Sequence, residues 1–198
     1  PEIVAAIEAA VRDGMDVLNL SIGQPEIEPA RDLVARALDA AAALGIVSVV
    51  AAGNDFNDLG AGSVSSPGTS ARAISVGAAA LAPSAATHAE FSSVGPTPIS
   101  LRLKPDVLAP GVAVTSATPG AGWASFSGTS MAAPHVAGAA ALLRQRYPAW
   151  SPERVKSALT QTATPIRDGS GSLLGTAFQG GGLVALEAAV TPLLTATP

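Results

Sequence analysis

The run Gly128-Thr-Ser-Met-Ala-Ala-Pro-His-Val-Ala-Gly138 carries the most suggestive chemistry in the chain. Ser130 follows a glycine and stands at the head of an alanine-rich helical pattern. Glycine permits a sharp turn and a close approach by another molecule. The first N–H groups of a helix have no partner inside it, and the helix dipole adds partial positive charge there. A serine so placed suits two roles: the N-cap of a buried helix, or a nucleophile whose oxyanion would form beside those N–H groups. Asn54 follows the apolar run Ile46–Ala52 and Gly53, so its side chain should emerge at the carboxyl end of a strand, where open α/β sheets bind ligands. Its amide could donate to an oxyanion, or it could be a turn residue in Gly-Asn-Asp. Two histidines complete the set. His135 lies five residues after Ser130, about 140° around a helix that turns about 100° per residue, and reads as structural. His88 lies in an Ala- and Ser-rich stretch and reads as a solvated loop residue; a general base is the alternative.

These residues need a frame, and the apolar patterning predicts an α/β alternation. Helices are expected over Ile3–Arg12, Pro29–Leu44, Ser130–Tyr147, Pro152–Thr162 and Leu183–Val190, and strands over Val17–Ile22, Ile46–Ala52 and Ala73–Ala80. Gly14 and Gly45 suit helix ends, Pro29 suits a helix start, and Ser151 suits an N-cap. The nearly unbroken apolar run 46–52 suits a parallel strand covered on both faces, joined by right-handed crossovers. Residues 81–122 and 167–182 read as loops with short strands or a hairpin, and the tail over 192–198 as loose. Pro134 is expected within the first helical turn, where its missing N–H is harmless.

The eleven-residue pattern around Ser130 resembles the nucleophile segment of the subtilisin-like serine proteases, the subtilases. Further matches follow in the family's order: Val17-Leu-Asn-Leu-Ser-Ile-Gly23, Val49-Val-Ala-Ala-Gly-Asn54, Ser66-Pro-Gly68, Ala73-Ile-Ser-Val-Gly-Ala78, Phe91-Ser-Ser-Val-Gly-Pro96, Lys104-Pro-Asp106, Ala109-Pro-Gly111 and Gly180–Ala189. The resemblance implies a three-layer α/β fold, a mostly parallel sheet with helices on both faces. It implies Ser130 as nucleophile and Asn54 as oxyanion donor. Ser21-Ile22-Gly23 and Ala51-Ala52-Gly53 would be opposite walls of a substrate pocket, with Val64–Ser66 near its floor and Phe126 on the leaving-group side. These walls are small and mostly apolar, without a carboxylate to select Lys or Arg. The substrate would be a peptide or protein that adds as a strand to the pocket walls, and the enzyme would be secreted. Calcium is a further option that the resemblance raises for the acidic turn with Asp55, Asn57 and Asp58, whose spacing matches no specific ligand pattern.

The family orders its triad Asp, His, Ser, and its Asp-x-Gly and His-Gly-Thr-His segments do not occur in these 198 residues. The expectation is one partial catalytic domain over 1–198, lacking its N-terminal part, with an upstream segment of the same protease supplying the Asp and His. By itself this chain would be inactive. The alternatives are a non-catalytic scaffold or binding module, and, more weakly, another α/β serine hydrolase. The last lacks a Gly-x-Ser-x-Gly elbow and a following His.

Composition agrees with a packed α/β domain. Hydrophobic residues are 48%, charged residues 13% and aromatics 4%, so the interior must be built from Ala, Val, Leu and Ile. A net charge of −4 without a basic run argues against nucleic acid or an anionic membrane as partner. The absence of cysteine excludes a disulfide framework and a cysteine-based metal site.

Overall fold

The computed structural model describes residues 2–83 and 85–191. The loose tail expected over 192–198 lies outside the described residues. Four strands form the parallel part of the sheet: β1 (Val17–Leu20), β2 (Val47–Ala51), β3 (Ile74–Leu81) and β5 (Val107–Pro110). β2 pairs β1 and β3, and β5 pairs β3, all parallel. The short β4 (Ala86–His88) runs antiparallel to the end of β3. Ala79 pairs with both His88 and Pro110, so β4 and β5 lie on opposite sides of β3 and β4 extends the β2 side.

Strand alternation sorts the core into two faces. From β2, Val47, Val49 and Ala51 face one way. They pack with Val76, Ala78 and Val107 against Ala132, Val136, Ala140 and Leu143 of α4 (Thr129–Arg146) and Val155 and Leu159 of α5 (Pro152–Gln161). Val50 faces the other way, onto Ile7 of α1 (Glu2–Arg12) and Leu38 and Ala41 of α2 (Leu33–Ala43). The result is the expected three-layer arrangement. Alanine dominates the buried side of α4 and lets it lie close over the sheet, where its 18 residues meet β1, β2, β3 and β5.

Several expected boundaries move. The single helix expected over Pro29–Leu44 is a 3₁₀ turn, Pro29–Arg31, then α2. Asp32 divides them, because its carboxylate accepts from the Val34 and Ala35 N–H groups at 3.0 and 2.9 Å and caps α2. The last helix, α7, shortens to Leu186–Val190, while the loop before it holds a single turn, α6 (Thr176–Gln179). Residues 114–126 form a two-stranded hairpin off the main sheet, β6 (Val114–Thr118) with β7 (Gly122–Phe126). One further turn, α3 (Phe56–Leu59), follows β2.

Candidate active site

Ser130 is the second residue of α4. Gly128 precedes the helix at φ +155°, a conformation that side chains rarely adopt, and its N–H donates to Gly111 O at 2.8 Å. Its carbonyl accepts from Met131 and Ala132 N–H, at 3.0 and 3.4 Å. The Thr129 N–H goes instead to Asn54 Oδ1, at 2.9 Å. Among the described residues the Ser130 N–H has no acceptor, as expected of a helix's first turn.

Asn54 is oriented by that same contact. Its Oδ1 accepts both the Thr129 N–H and, at 3.1 Å, the Thr129 hydroxyl. A backbone N–H can only donate, so the oxygen must face Thr129 and the NH₂ group must face away. The Thr129 hydroxyl in turn accepts from the Gly53 N–H at 3.2 Å. The amide donors lie over Gly128, where a Cβ would come within 3.5 Å of Nδ2. One residue of the nucleophile loop thus fixes both the turn after β2 and the direction of its amide.

The proline two turns into the motif acts differently from expectation. α4 begins at Thr129, so Pro134 is its sixth residue and lies inside the helix, not in its first turn. Having no N–H, it leaves the carbonyl four residues back, that of Ser130, without a helical partner. The Ser21 hydroxyl fills that vacancy, donating to Ser130 O at 3.0 Å. Ser130 Oγ returns a long bond to Ser21 O at 3.4 Å. Helix α4 and the segment after β1 are therefore clasped at the serine itself.

The ends of β1 and β2 and the loop over 62–65 enclose a cleft of about 460 Å³. It brings together Ser130, Asn54, Ser21, Ile22, Gly23, Ala51 and Gly53, and Val64 and Ser65 also line it. Ala52 is fully buried beside it, with its carbonyl accepting from the Ser65 hydroxyl at 3.2 Å. Phe126 does not line the cleft; it ends β7 and is exposed. The fold brings further polar side chains into the lining: Ser65, expected near the floor, Asp55, expected as a turn residue, and Glu26, which the sequence did not single out. The walls lack a carboxylate, as expected, but the cleft they enclose has two. Glu26 carries no local signal, since it gains its place only when Ile99 and Ser100 fold back onto its carboxylate.

The two histidines stand apart from Ser130. His135 is exposed, and its Nδ1 meets only the Met131 carbonyl one turn back, at 2.9 Å. His88 is not a solvated loop residue. It ends β4, and its ring packs edge-on against Phe56 and Phe178, with centroids 6.2 and 5.5 Å away. Burial in that aromatic group lowers its pKa to about 4, because the low-dielectric surroundings disfavour the cation. The alternation Ala86-Thr87-His88-Ala89 was the available signal for a strand there. Among the described residues no three acidic, histidine or cysteine side chains converge, at the acidic turn with Asp55, Asn57 and Asp58 or elsewhere.

The Subtilase family model matches residues 1–182. The chain belongs to the subtilase family. It is 41% identical over 187 residues to subtilisin DY of Bacillus licheniformis and 42% identical over 187 residues to subtilisin Savinase of Lederbergia lenta. Each alignment covers 94% of this chain and 61% of the relative, so the chain spans about three fifths of the length of these subtilisins. Among solved structures, it is similar to fervidolysin from Fervidobacterium pennivorans, a keratinolytic enzyme related to subtilisin. The TM-score is 0.77 at 30% identity, over 97% of this chain and 29% of that one. The patellamide maturation protease PatA also gives a TM-score of 0.77, at 28% identity, over 96% of this chain and 67% of that one. Among the described residues no helix is long and apolar enough to cross a membrane.

Proposed function

We propose that these residues are the nucleophile- and oxyanion-bearing portion of a secreted serine endopeptidase. The observation that carries this reading is the unpartnered Ser130 N–H at the head of α4, set in one cleft with an Asn54 amide whose oxygen is already taken by Thr129. A peptide lying along the Ser21–Gly23 segment presents its carbonyl to the Ser130 hydroxyl. Attack forms the C–O bond, moves the carbonyl π electrons onto oxygen, and gives a tetrahedral oxyanion. The Ser130 N–H and the Asn54 amide are donors for that oxyanion, held in place before the reaction begins. Collapse expels the amine and leaves an acyl-Ser130 ester, which water then hydrolyses. The serine proton must pass to a base and on to the leaving amine. Neither His88 nor His135 can serve, so a His and its orienting Asp come from residues outside these 198.

Three measurements test this. The 198-residue chain alone should show negligible turnover of a chromogenic peptide, whereas the protein extended upstream should cleave it. In the extended protein, Ser130→Ala should abolish labelling by a fluorophosphonate. Asn54→Ala should lower kcat by about 10² to 10³ with KM nearly unchanged, a magnitude taken from subtilisin itself, because the oxyanion exists only along the reaction path. Full turnover by Asn54→Ala would make Asn54 a turn residue only. An extended protein that neither labels nor cleaves would favour a binding module.

A further inference from the structure

The cleft holding Ser130 and Asn54 has two carboxylates in its lining and no lysine, arginine or histidine. Glu26 is 6% exposed. Its oxygens accept from the Ile99 N–H at 2.8 Å, the Ser100 N–H at 3.1 Å and the Ser100 hydroxyl at 2.6 Å. All three donors are neutral. Asp55 Oδ2 turns back over the wall and lies 3.1 Å from where a Cβ on Gly53 would be. Among the described residues, no ion pair involves either carboxylate. The charge of Glu26 is therefore held in place by hydrogen bonds, neither carboxylate is neutralised by a cation, and a cleft with low-dielectric walls focuses such a field on whatever enters it.

Ser65 shapes the same space. Its Oγ sits between the two walls, 2.5 Å from the Cβ position of Gly23 and 2.7 Å from that of Gly53. Ser65 therefore puts a small hydroxyl close to both walls of the cleft. That hydroxyl donates to Ala52 O, so its oxygen can still accept a hydrogen bond. Three polar groups thus offer acceptors, and two of them are anionic. A chain of methylenes ending in several N–H donors and a positive charge matches this combination, and such donors form the stronger, charge-assisted bonds.

We propose that the cleft selects peptides carrying a lysine or arginine side chain, with Glu26 and Asp55 as specificity-determining residues. This rests on the endopeptidase reading for its substrate class. It differs from the sequence-based expectation of small apolar walls without a carboxylate to select Lys or Arg.

The test uses the protein extended upstream and a peptide series carrying Lys, norleucine, Phe or Glu at each position before the scissile bond. At one position, Lys should exceed the uncharged norleucine in kcat/KM by roughly tenfold near 0.01 M salt, with Glu poorest. The advantage should shrink several-fold near 1 M salt, where the Debye length falls to about 3 Å. Asp55→Asn and Glu26→Gln should each reduce the Lys to norleucine ratio by roughly threefold or more. Should Glu26→Gln fail to fold, Asp55→Asn and the salt series on the wild type still decide. Binding of the same peptides to the Ser130→Ala form, read by fluorescence anisotropy, separates the two proposals. Lys-selective binding without any cleavage by the wild type would sink the endopeptidase reading alone. Equal binding of Lys and norleucine peptides, or a preference insensitive to salt and to both variants, would overturn the selectivity.

Discussion

Glu26 is a buried carboxylate and Asp106 a mostly buried one, and they are held in opposite ways. Glu26 faces the cleft and meets only neutral N–H and O–H donors. Asp106 lies at the start of β5 and meets two lysines, Lys104 Nζ at 2.7 Å and Lys156 Nζ at 3.0 Å, as well as the Ser75 N–H at 2.7 Å. Both ammonium groups also donate to Ala73 O, at 3.0 and 2.9 Å. Asp106 therefore spends its charge inside the molecule, tying α5 and the strand entrances together. Glu26 ties down one loop and leaves its charge over for a ligand. A buried anion answered by cations builds the fold; one answered by dipoles alone keeps a field in the cleft.

The largest test of that contrast is Asp106→Asn. It leaves two lysines facing each other around one carbonyl, and removing one partner of a buried pair costs about 3 to 5 kcal/mol. Urea unfolding of the extended protein should show the loss. A change under about 1 kcal/mol would mean that the lysines reach solvent and that the contrast with Glu26 is false.

The next effect is one of pH. Burial pushes Lys104 down from 10.5 to about 7; nearby Lys156 adds to the shift and Asp106 opposes it. Burial alone would raise Asp106, but the two lysine charges outweigh it and hold its carboxyl below the usual range. Between about 7 and 10.5 the unfolded chain binds more protons at Lys104 than the folded one, so this group's contribution makes stability rise as pH rises through that window. Thermal melts across it should climb more steeply for the wild type than for Lys104→Met. Identical slopes would remove Lys104 from the account.

Glu26→Gln should cost less than Asp106→Asn, about 1 to 3 kcal/mol, since it breaks hydrogen bonds to the 97–102 loop without stranding a cation. A loss as large as that of Asp106→Asn would make Glu26 as much a part of the fold as Asp106. The smallest effect belongs to the exposed pair Arg72–Glu153, 3.5 Å apart. Glu153→Gln should change stability by less than about 1 kcal/mol, which sets the baseline against which both buried carboxylates are measured.

Much of this was legible in residue order, because the signals are local. The Gly-Thr-Ser-Met-Ala-x-Pro-His run specifies a helix start, a glycine-only turn and a serine beside free N–H groups within eight residues. The apolar run ending at Gly53 marks a buried parallel strand and the turn that carries Asn54. Helix α5 sits within one residue of its expected bounds, since Ser151 and Pro152 announce its start. Where local rules compete, the reading failed. Pro29 looked like a helix opener, but the Asp32 carboxylate had the better claim through two N–H bonds. Pro134 looked harmless in a first turn, whereas the helix starts earlier and the freed carbonyl is used by Ser21, 109 positions away.

By itself the sequence determined the order of the main helices and strands, the family, and which serine and which asparagine deserve attention, because backbone propensity and periodicity act over a few residues. Tertiary structure alone decided the direction of the Asn54 amide, since Thr129 is 75 positions distant. It alone buried His88 between two phenylalanines and brought Glu26 and Asp55 to the same cleft as Ser130. Electrostatics and side-chain packing depend on distance in space, and only the closed chain sets those distances.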